Sequence, residues 1–275
     1  MKRFFILAFI FPLSLLAIPP SGPGHLNPGF VAAAKTSQSA ANPYLSGNET
    51  NGLAAYYRFD ETSGNATDAA GGGVTLTANG SPLYDTGKIT NSRTLVRTSS
   101  QYFSSANGVF ERPGVDWTWT IWVKFTTTNQ TQMIVSRYDG TAAGNQFLFY
   151  RDPGFNNGRV RLVVYGNHDE CGTVYTETSV EGTLEISPNT WYHFAFGVSG
   201  GDIFFSENGG TFSTTTMTDP MQAGSSPALQ IGNTTQNEGS FMNGQVDEAG
   251  YYSVAISQAV ATSIYNGGIG KTLQP

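Results

Sequence analysis

Cysteine is almost absent: Cys171 is the only one in 275 residues. A single cysteine cannot close an internal disulfide, so a disulfide-stapled scaffold is excluded. Charge is scarce as well. Charged residues make up 12% of the chain, about half the usual share. The 14 Lys and Arg residues are outnumbered by 20 acids, for a net charge of −6. No basic cluster occurs past the N-terminus, which argues against a nucleic-acid groove, because phosphate binding needs concentrated positive charge. Long apolar runs are missing after the first residues, so the mature chain is expected to be soluble and without a membrane span.

The one apolar run, "FFILAFIFPLSLLAI" from Phe4 to Ile18, follows Lys2 and Arg3. A positive start before a short apolar stretch is the layout of a secretory signal, and Pro12 interrupts it. Residues 1–34 are assigned to this signal, with "VAAAK" offering cleavage after Ala34. Cleavage near Ala17 and an uncleaved anchor stay open. Residues 35–52 are rich in small and polar residues and lack periodicity, so they read as a linker, leaving 53–275 as one domain. The expected location is secreted or at the cell surface. Five Asn-x-Ser/Thr sites start at Asn48, Asn65, Asn79, Asn129 and Asn233; they carry glycans in a eukaryotic secretory pathway, or simply reflect Asn- and Thr-rich turns.

What is abundant is strand and turn chemistry: 33 Gly, many Thr, Ser and Asn, and 13% aromatics. Strand-like runs lie at Leu53–Phe59, Gln101–Ser105, Trp117–Phe125, Gln132–Tyr138, Gln146–Arg151, Arg159–Tyr165, Thr190–Val198, Asp202–Gly210, Ala228–Asn233 and Gly244–Ser253. Turn formers separate them, as at Asn208-Gly209. One short helix is predicted after Ser257, which is placed to cap it; Val260 and Ile264 share a face, and Gly267 is placed to end it. Many strands and one helix predict two stacked antiparallel sheets.

Four segments then carry a family likeness. "YRFDETSGNATDAAGGG" (Tyr57–Gly73), "WTWTIWVKF" (Trp117–Phe125), "NTWYHFAFGV" (Asn189–Val198) and "FMNGQVDEAGYYSVAISQAVATSIYNGG" (Phe241–Gly268) occur in an order that resembles LamG-like domains. Those domains belong to the concanavalin A-like lectin/glucanase superfamily. The resemblance implies an all-β, two-sheet antiparallel jelly-roll sandwich with one short C-terminal helix. It also implies non-catalytic recognition of a glycan or glycosylated surface, with calcium assistance in several members. A structural or adhesive surface role, and less so a glycan-cleaving enzyme, are the alternatives. Where the family often has Gly in the turn before its next strand, "TLVRTSSQYF" has Arg97.

Candidate residues follow. Related glucanases pair carboxylates on one strand, and hydrolysis needs the two about 5–10 Å apart. Asp247 and Glu248 are adjacent, and adjacent strand residues point to opposite faces, so they are not expected to act as such a pair. Asp247 is expected on the inward face with Ala249 and Tyr251, and Glu248 in solvent. A buried carboxylate needs a partner: a calcium ion, an Arg or backbone N–H groups. The resemblance makes the first and last strands neighbours, which brings Asp60 to Asp247 as candidate calcium ligands. Asp68 is a further ligand or a turn cap. "HDEC" (His168–Cys171) reads as a solvated loop, and His193 as a hydrogen-bonded framework residue. Trp122 and Lys124 on one strand, and Arg161 and Tyr165 on another, form the candidate ligand-binding set: on one concave sheet they make aromatic platforms beside donors, as sugars require. The alternative is that they only cover an outer sheet.

Overall fold

The computed structural model describes residues 48–274 except 107, 111–114, 141–144, 155–157, 169–174, 222–226 and 236–238. Fifteen strands and one helix are assigned there. In chain order they are β1 (Leu53–Tyr57), β2 (Thr77–Asn79), β3 (Leu83–Thr86), β4 (Asn91–Leu95), β5 (Tyr102–Ser105), β6 (Trp117–Phe125), β7 (Gln132–Arg137) and β8 (Phe147–Arg151), then β9 (Val160–His168), β10 (Tyr175–Glu181), β11 (Trp191–Ser199), β12 (Asp202–Glu207), β13 (Ser213–Thr216), β14 (Leu229–Ile231), β15 (Gly244–Tyr252) and α1 (Gln258–Tyr265).

These strands form two antiparallel sheets. One has eight strands in the order β13-β12-β11-β6-β15-β4-β3, with β1 also on β15; the other has seven, β10-β9-β8-β7-β14-β5-β2. Alternation builds the layer between them. Trp117, Trp119, Ile121, Val123 and Phe125 of β6 meet Phe147, Phe149, Leu162 and Val164 of the opposite sheet in one buried cluster. The ring of Phe149 stacks on Phe196 at 3.9 Å between centroids. This is the jelly-roll sandwich expected from the sequence.

The predicted runs are observed with ends shifted by a few residues. Five strands had no sequence signal: β2, β3, β4, β10 and β13. They are short or polar, and β2, β3, β10 and β13 sit at sheet edges, where charged and hydroxyl side chains are usual.

Helix α1 starts as expected, with the Ser257 side chain accepting the Val260 N–H. Its end lies one residue earlier than expected: Asn266 is the left-handed cap, at φ 50° and ψ 49°, a conformation that Asn tolerates better than most residues, and Gly267 follows it, also left-handed at φ 61°. Val260, Ala261 and Ile264 pack with Tyr56, Ala195, Tyr252 and Leu273 on the outer face of the eight-stranded sheet. Residues 48–52, placed in the linker from the sequence, form a turn tied to the C-terminus. There the Glu49 carboxylate accepts Lys271 Nζ at 2.6 Å and Ser263 Oγ at 2.5 Å.

Candidate functional site

The acids of β15 stand where the sheet changes partner. One edge of β15 pairs with β4 over Gly244–Val246 and with β1 over Ala249–Tyr252. Between these stretches the register against β6 slips, from Asp247 opposite Trp122 to Gly250 opposite Thr120. Glu248 is the extra residue, at φ 48°. The bulge overturns the simple alternation. Val246, Ala249 and Tyr251 join the core, whereas Asp247 shares the outer face with its partner Trp122. Glu248, expected in solvent, is only 3% exposed.

Asp247 and Asp60 are brought together, as the pairing of first and last strands implied. They hold one turn. Asp247 Oδ2 accepts the N–H groups of Lys88 at 2.8 Å and Ile89 at 3.0 Å. Asp60 Oδ1 accepts the Thr90 hydroxyl and, at 3.1 Å, the Asn91 N–H. Burial pushes the Asp247 carboxyl up to about 8, against the pull of these N–H groups, and the charge of Asp60 adds to the rise. Burial likewise pushes Glu248 up to about 8, with the Thr272 hydroxyl holding it back. Asp68 stands apart as a turn cap, its Oδ1 accepting Tyr56 N–H at 2.9 Å and Ala70 N–H at 2.8 Å. Among the described residues no cluster of three or more His, Cys, Asp or Glu forms a metal nest.

The four residues expected on one concave sheet are divided between two. Trp122 and Lys124 lie on β6 of the eight-stranded sheet, Arg161 and Tyr165 on β9 of the seven-stranded one. Trp122 is 1% exposed. Tyr265 of α1 stacks on it at 5.7 Å, Lys88 Nζ sits 4.8 Å from its ring centroid, and His193 packs at 5.2 Å. It is therefore no open platform, because the helix covers that face. Lys124 is half-buried with its Nζ 5.1 Å from the Trp191 ring. His193 is also sealed, and burial pulls its imidazole down to about 3. Its two ring nitrogens have no hydrogen-bond partner among the described residues, so packing holds it rather than the expected hydrogen bond. Of "HDEC", His168 ends β9, and the rest lies outside the described residues.

The seven-stranded sheet presents the other outer face, which carries no α-helix among the described residues. Met133, Leu148, Val163 and Tyr165 form a small buried cluster there, 2–8% exposed, flanked by half-buried Tyr138 and Tyr150. Arg161 crosses it, donating to Ser179 Oγ at 2.8 Å and Tyr150 Oη at 3.5 Å, with Glu181 at 3.9 Å. Beside this cluster opens a cleft of about 660 Å³, whose lining includes Asn129, Gln130, Met133, Leu148, Tyr150 and Asp152. Arg97 frames one side by donating to the Thr131 and Gly239 carbonyls. Asp152 is fixed by the Gly154 N–H at 2.9 Å and the Thr131 hydroxyl at 3.3 Å. An apolar floor, an aromatic edge, exposed amides and a fixed carboxylate stand side by side. Arg161 and Tyr165, expected as ligand residues from the sequence, lie on this face but not in the lining of the cleft, and the cleft itself was not expected. Its one legible signal was "QFLFYR", where Leu148 and Tyr150 share the face opposite Phe147 and Phe149.

The model of one protein family matches residues 97–260, more than half of the chain. The chain belongs to the concanavalin A-like lectin/glucanases superfamily. Solved structures of the same fold include domain 4 of an extracellular arabinanase from Geobacillus stearothermophilus, solved in complex with arabinotriose. That domain is 18% identical, with a TM-score of 0.58 over 77% of this chain and 97% of the domain. The binding domain of botulinum neurotoxin DC, solved in complex with SialylT, is 9% identical. Its TM-score is 0.60, over 79% of this chain and 52% of that one. The binding domain of Paraclostridial mosquitocidal protein 1 is 15% identical, with a TM-score of 0.58 over 81% and 53%. The chain thus spans about half of each toxin binding domain. At these identities the likeness is one of fold. No curated protein matches the sequence. No helix among the described residues is long and apolar enough to cross a membrane.

Proposed function

We propose that this protein is an exported, non-catalytic carbohydrate-binding module, and that its binding face is the outer surface of the seven-stranded sheet. The observation that carries the reading is the cleft of about 660 Å³ whose lining brings Tyr150 together with Met133 and Leu148, beside Asn129, Gln130 and Asp152. Sugars need a ring to cover their C–H faces and polar groups to meet their hydroxyls, and this lining offers both. Similar folds solved with arabinotriose and SialylT support the reading. Of the four expected ligand residues, half-buried Arg161 borders this surface, and Tyr165 lies on the same face but is only 4% exposed. Trp122 and Lys124 belong to the covered sheet and take no part. The apolar start of the chain, Phe4–Ile18, supports export.

A non-catalytic role is favoured because the adjacent acids Asp247 and Glu248 are sealed, at 0% and 3% exposure, away from any cleft where water and a sugar bond could meet. For the Asp60–Asp247 corner we propose N–H donors rather than calcium. Calcium takes about six to eight oxygens, whereas here one oxygen of each carboxylate already accepts hydrogen bonds from the Lys88–Asn91 turn.

The test is a glycan array followed by calorimetry, with Tyr150→Ala as the site variant. Binding is expected for the parent and a loss of about ten-fold or more for the variant. A parent that binds no glycan, or a Tyr150→Ala variant that binds like the parent, overturns the reading and leaves the adhesive role to be examined.

A further inference from the structure

We infer that the cleft on the seven-stranded sheet selects neutral polysaccharides and rejects anionic ones. The inference rests on the proposal that this cleft is the glycan site, and it names the class of sugar.

Recognition of a carboxylate or sulfate needs a cation with an open hydrogen-bonding edge, best the two-pronged edge of an arginine. Two arginines border this surface, and both are engaged by the protein itself. Arg97 reaches across to the carbonyls of Thr131 and Gly239 and so ties the loop at 239 to the start of β7. Arg161 is held by Ser179 Oγ at 2.8 Å and Tyr150 Oη at 3.5 Å, with the Glu181 carboxylate at 3.9 Å. Arg151, behind the cleft, is 4% exposed and donates to the Gln130 carbonyl. No lysine lines the cleft.

Hydrogen bonds to neutral carbonyls leave the charge of Arg97 in place. Positive charge at this surface is offset rather than removed: Glu181 stands by Arg161, and two further acids lie near. Asp152 is in the lining, and Glu177 is exposed on β10, opposite Tyr165. Burial raises the Tyr150 phenol, Arg161 lowers it, and both Asp152 and Glu177 raise it further, which places all these charges within electrostatic reach of one ring. A carboxylate in this position accepts from sugar hydroxyls and repels a uronate or sialate. Its orientation is set in advance, because Gly154 N–H and the Thr131 hydroxyl both bind Asp152 Oδ1. The amides of Asn129 and Gln130, both exposed, donate to and accept from hydroxyls without regard to charge.

The test is calorimetry at pH 7 and two salt concentrations. The neutral panel is arabino-, xylo- and β-gluco-oligosaccharides; the anionic panel is oligogalacturonates and sialyllactose. At least one neutral ligand is expected to bind, little affected by salt, with every anionic ligand weaker by about ten-fold or more. Asp152→Asn keeps the size and the acceptor oxygen, so the fold is retained, with melting as the check. This variant should weaken the neutral ligand and narrow the gap to the anionic ones. Anionic ligands that bind as well as neutral ones, and lose affinity steeply with salt, overturn the inference while leaving the glycan reading in place. Binding of neither panel removes both.

Discussion

Asp247 and Glu248 are neighbours in sequence, and both carboxyls are buried on the outer side of the same strand. Asp247 lies against the Lys88–Ile89 backbone and Glu248 beside Thr272. On a regular strand they point apart. The extra residue at φ 48° brings them to one side. They mark the point where β1 leaves β15 and β4 arrives, and Asp247, with Asp60, pins the incoming turn.

This pair makes stability depend on pH. Both carboxyls rise from ordinary values of 3.8 and 4.5 to about 8 in the folded chain. The folded state therefore binds more protons than the unfolded state between those limits, and stability falls as pH rises through that window. His193 acts oppositely, since its fall from 6.5 to about 3 means that stability drops as pH goes below 6.5. Of these three groups, the two acids dominate above pH 7.5, where His193 is neutral in both states. The melting temperature is expected to be lower at pH 8.5 than at pH 7.5, and Glu248→Gln should raise it there and flatten the slope. A flat parent profile over this range contradicts the assignment.

Asp247→Ala strips the Lys88 and Ile89 N–H groups of their acceptor. A cost of about 1–3 kcal/mol is expected, read as a lower denaturation midpoint. Calcium and a chelator should leave both parent and variant melting unchanged. A parent stabilised by calcium, with Asp247→Ala unresponsive, would establish a metal at this corner.

Arg93 is a second buried charge, fully enclosed and donating to the carbonyls of Gly64, Pro82 and Leu83 at 2.7–3.2 Å. It fastens the edge strand β3 and the loop at Gly64 to β4. Arg93→Met keeps much of the volume and orphans these carbonyls, so a loss of about 3 kcal/mol is expected by urea denaturation. A variant as stable as the parent shows that water replaces the guanidinium.

Tyr265 is the part of α1 that closes over Trp122. Tyr265→Ala is expected to cost about 1–3 kcal/mol and to let acrylamide quench Trp122 fluorescence. Trp122→Phe in the same background should remove the added quenching. Quenching that does not rise means the face is covered by something other than this ring.

The core strands were legible because their signals are local. "WTWTIWVKF" alternates large apolar residues with smaller ones, and the structure buries the predicted set. Ser257 before an apolar stripe was enough to start α1. The edge strand Ser213–Thr216 gave no such signal, since a strand with little buried surface has little reason to be apolar. Trp122 was misplaced for a different reason. Its alternation put it correctly on the outer face, but whether an outer face meets water depends on a helix more than a hundred residues later in the chain.

The sequence by itself determined the class of fold, the inner face of the long strands and the helix start, because side-chain alternation and capping are written along the chain; the meeting of Asp60 with Asp247 was implied by the family resemblance that its motif order carries. Tertiary structure alone decided that Asp247 and Glu248 share a side, that α1 covers the outer face of the eight-stranded sheet, and that Asn129, Tyr150 and Asp152 border one cleft. Those outcomes depend on how distant strands hand over to one another and which surface the chain end seals, and neither leaves a periodic trace in a single sequence.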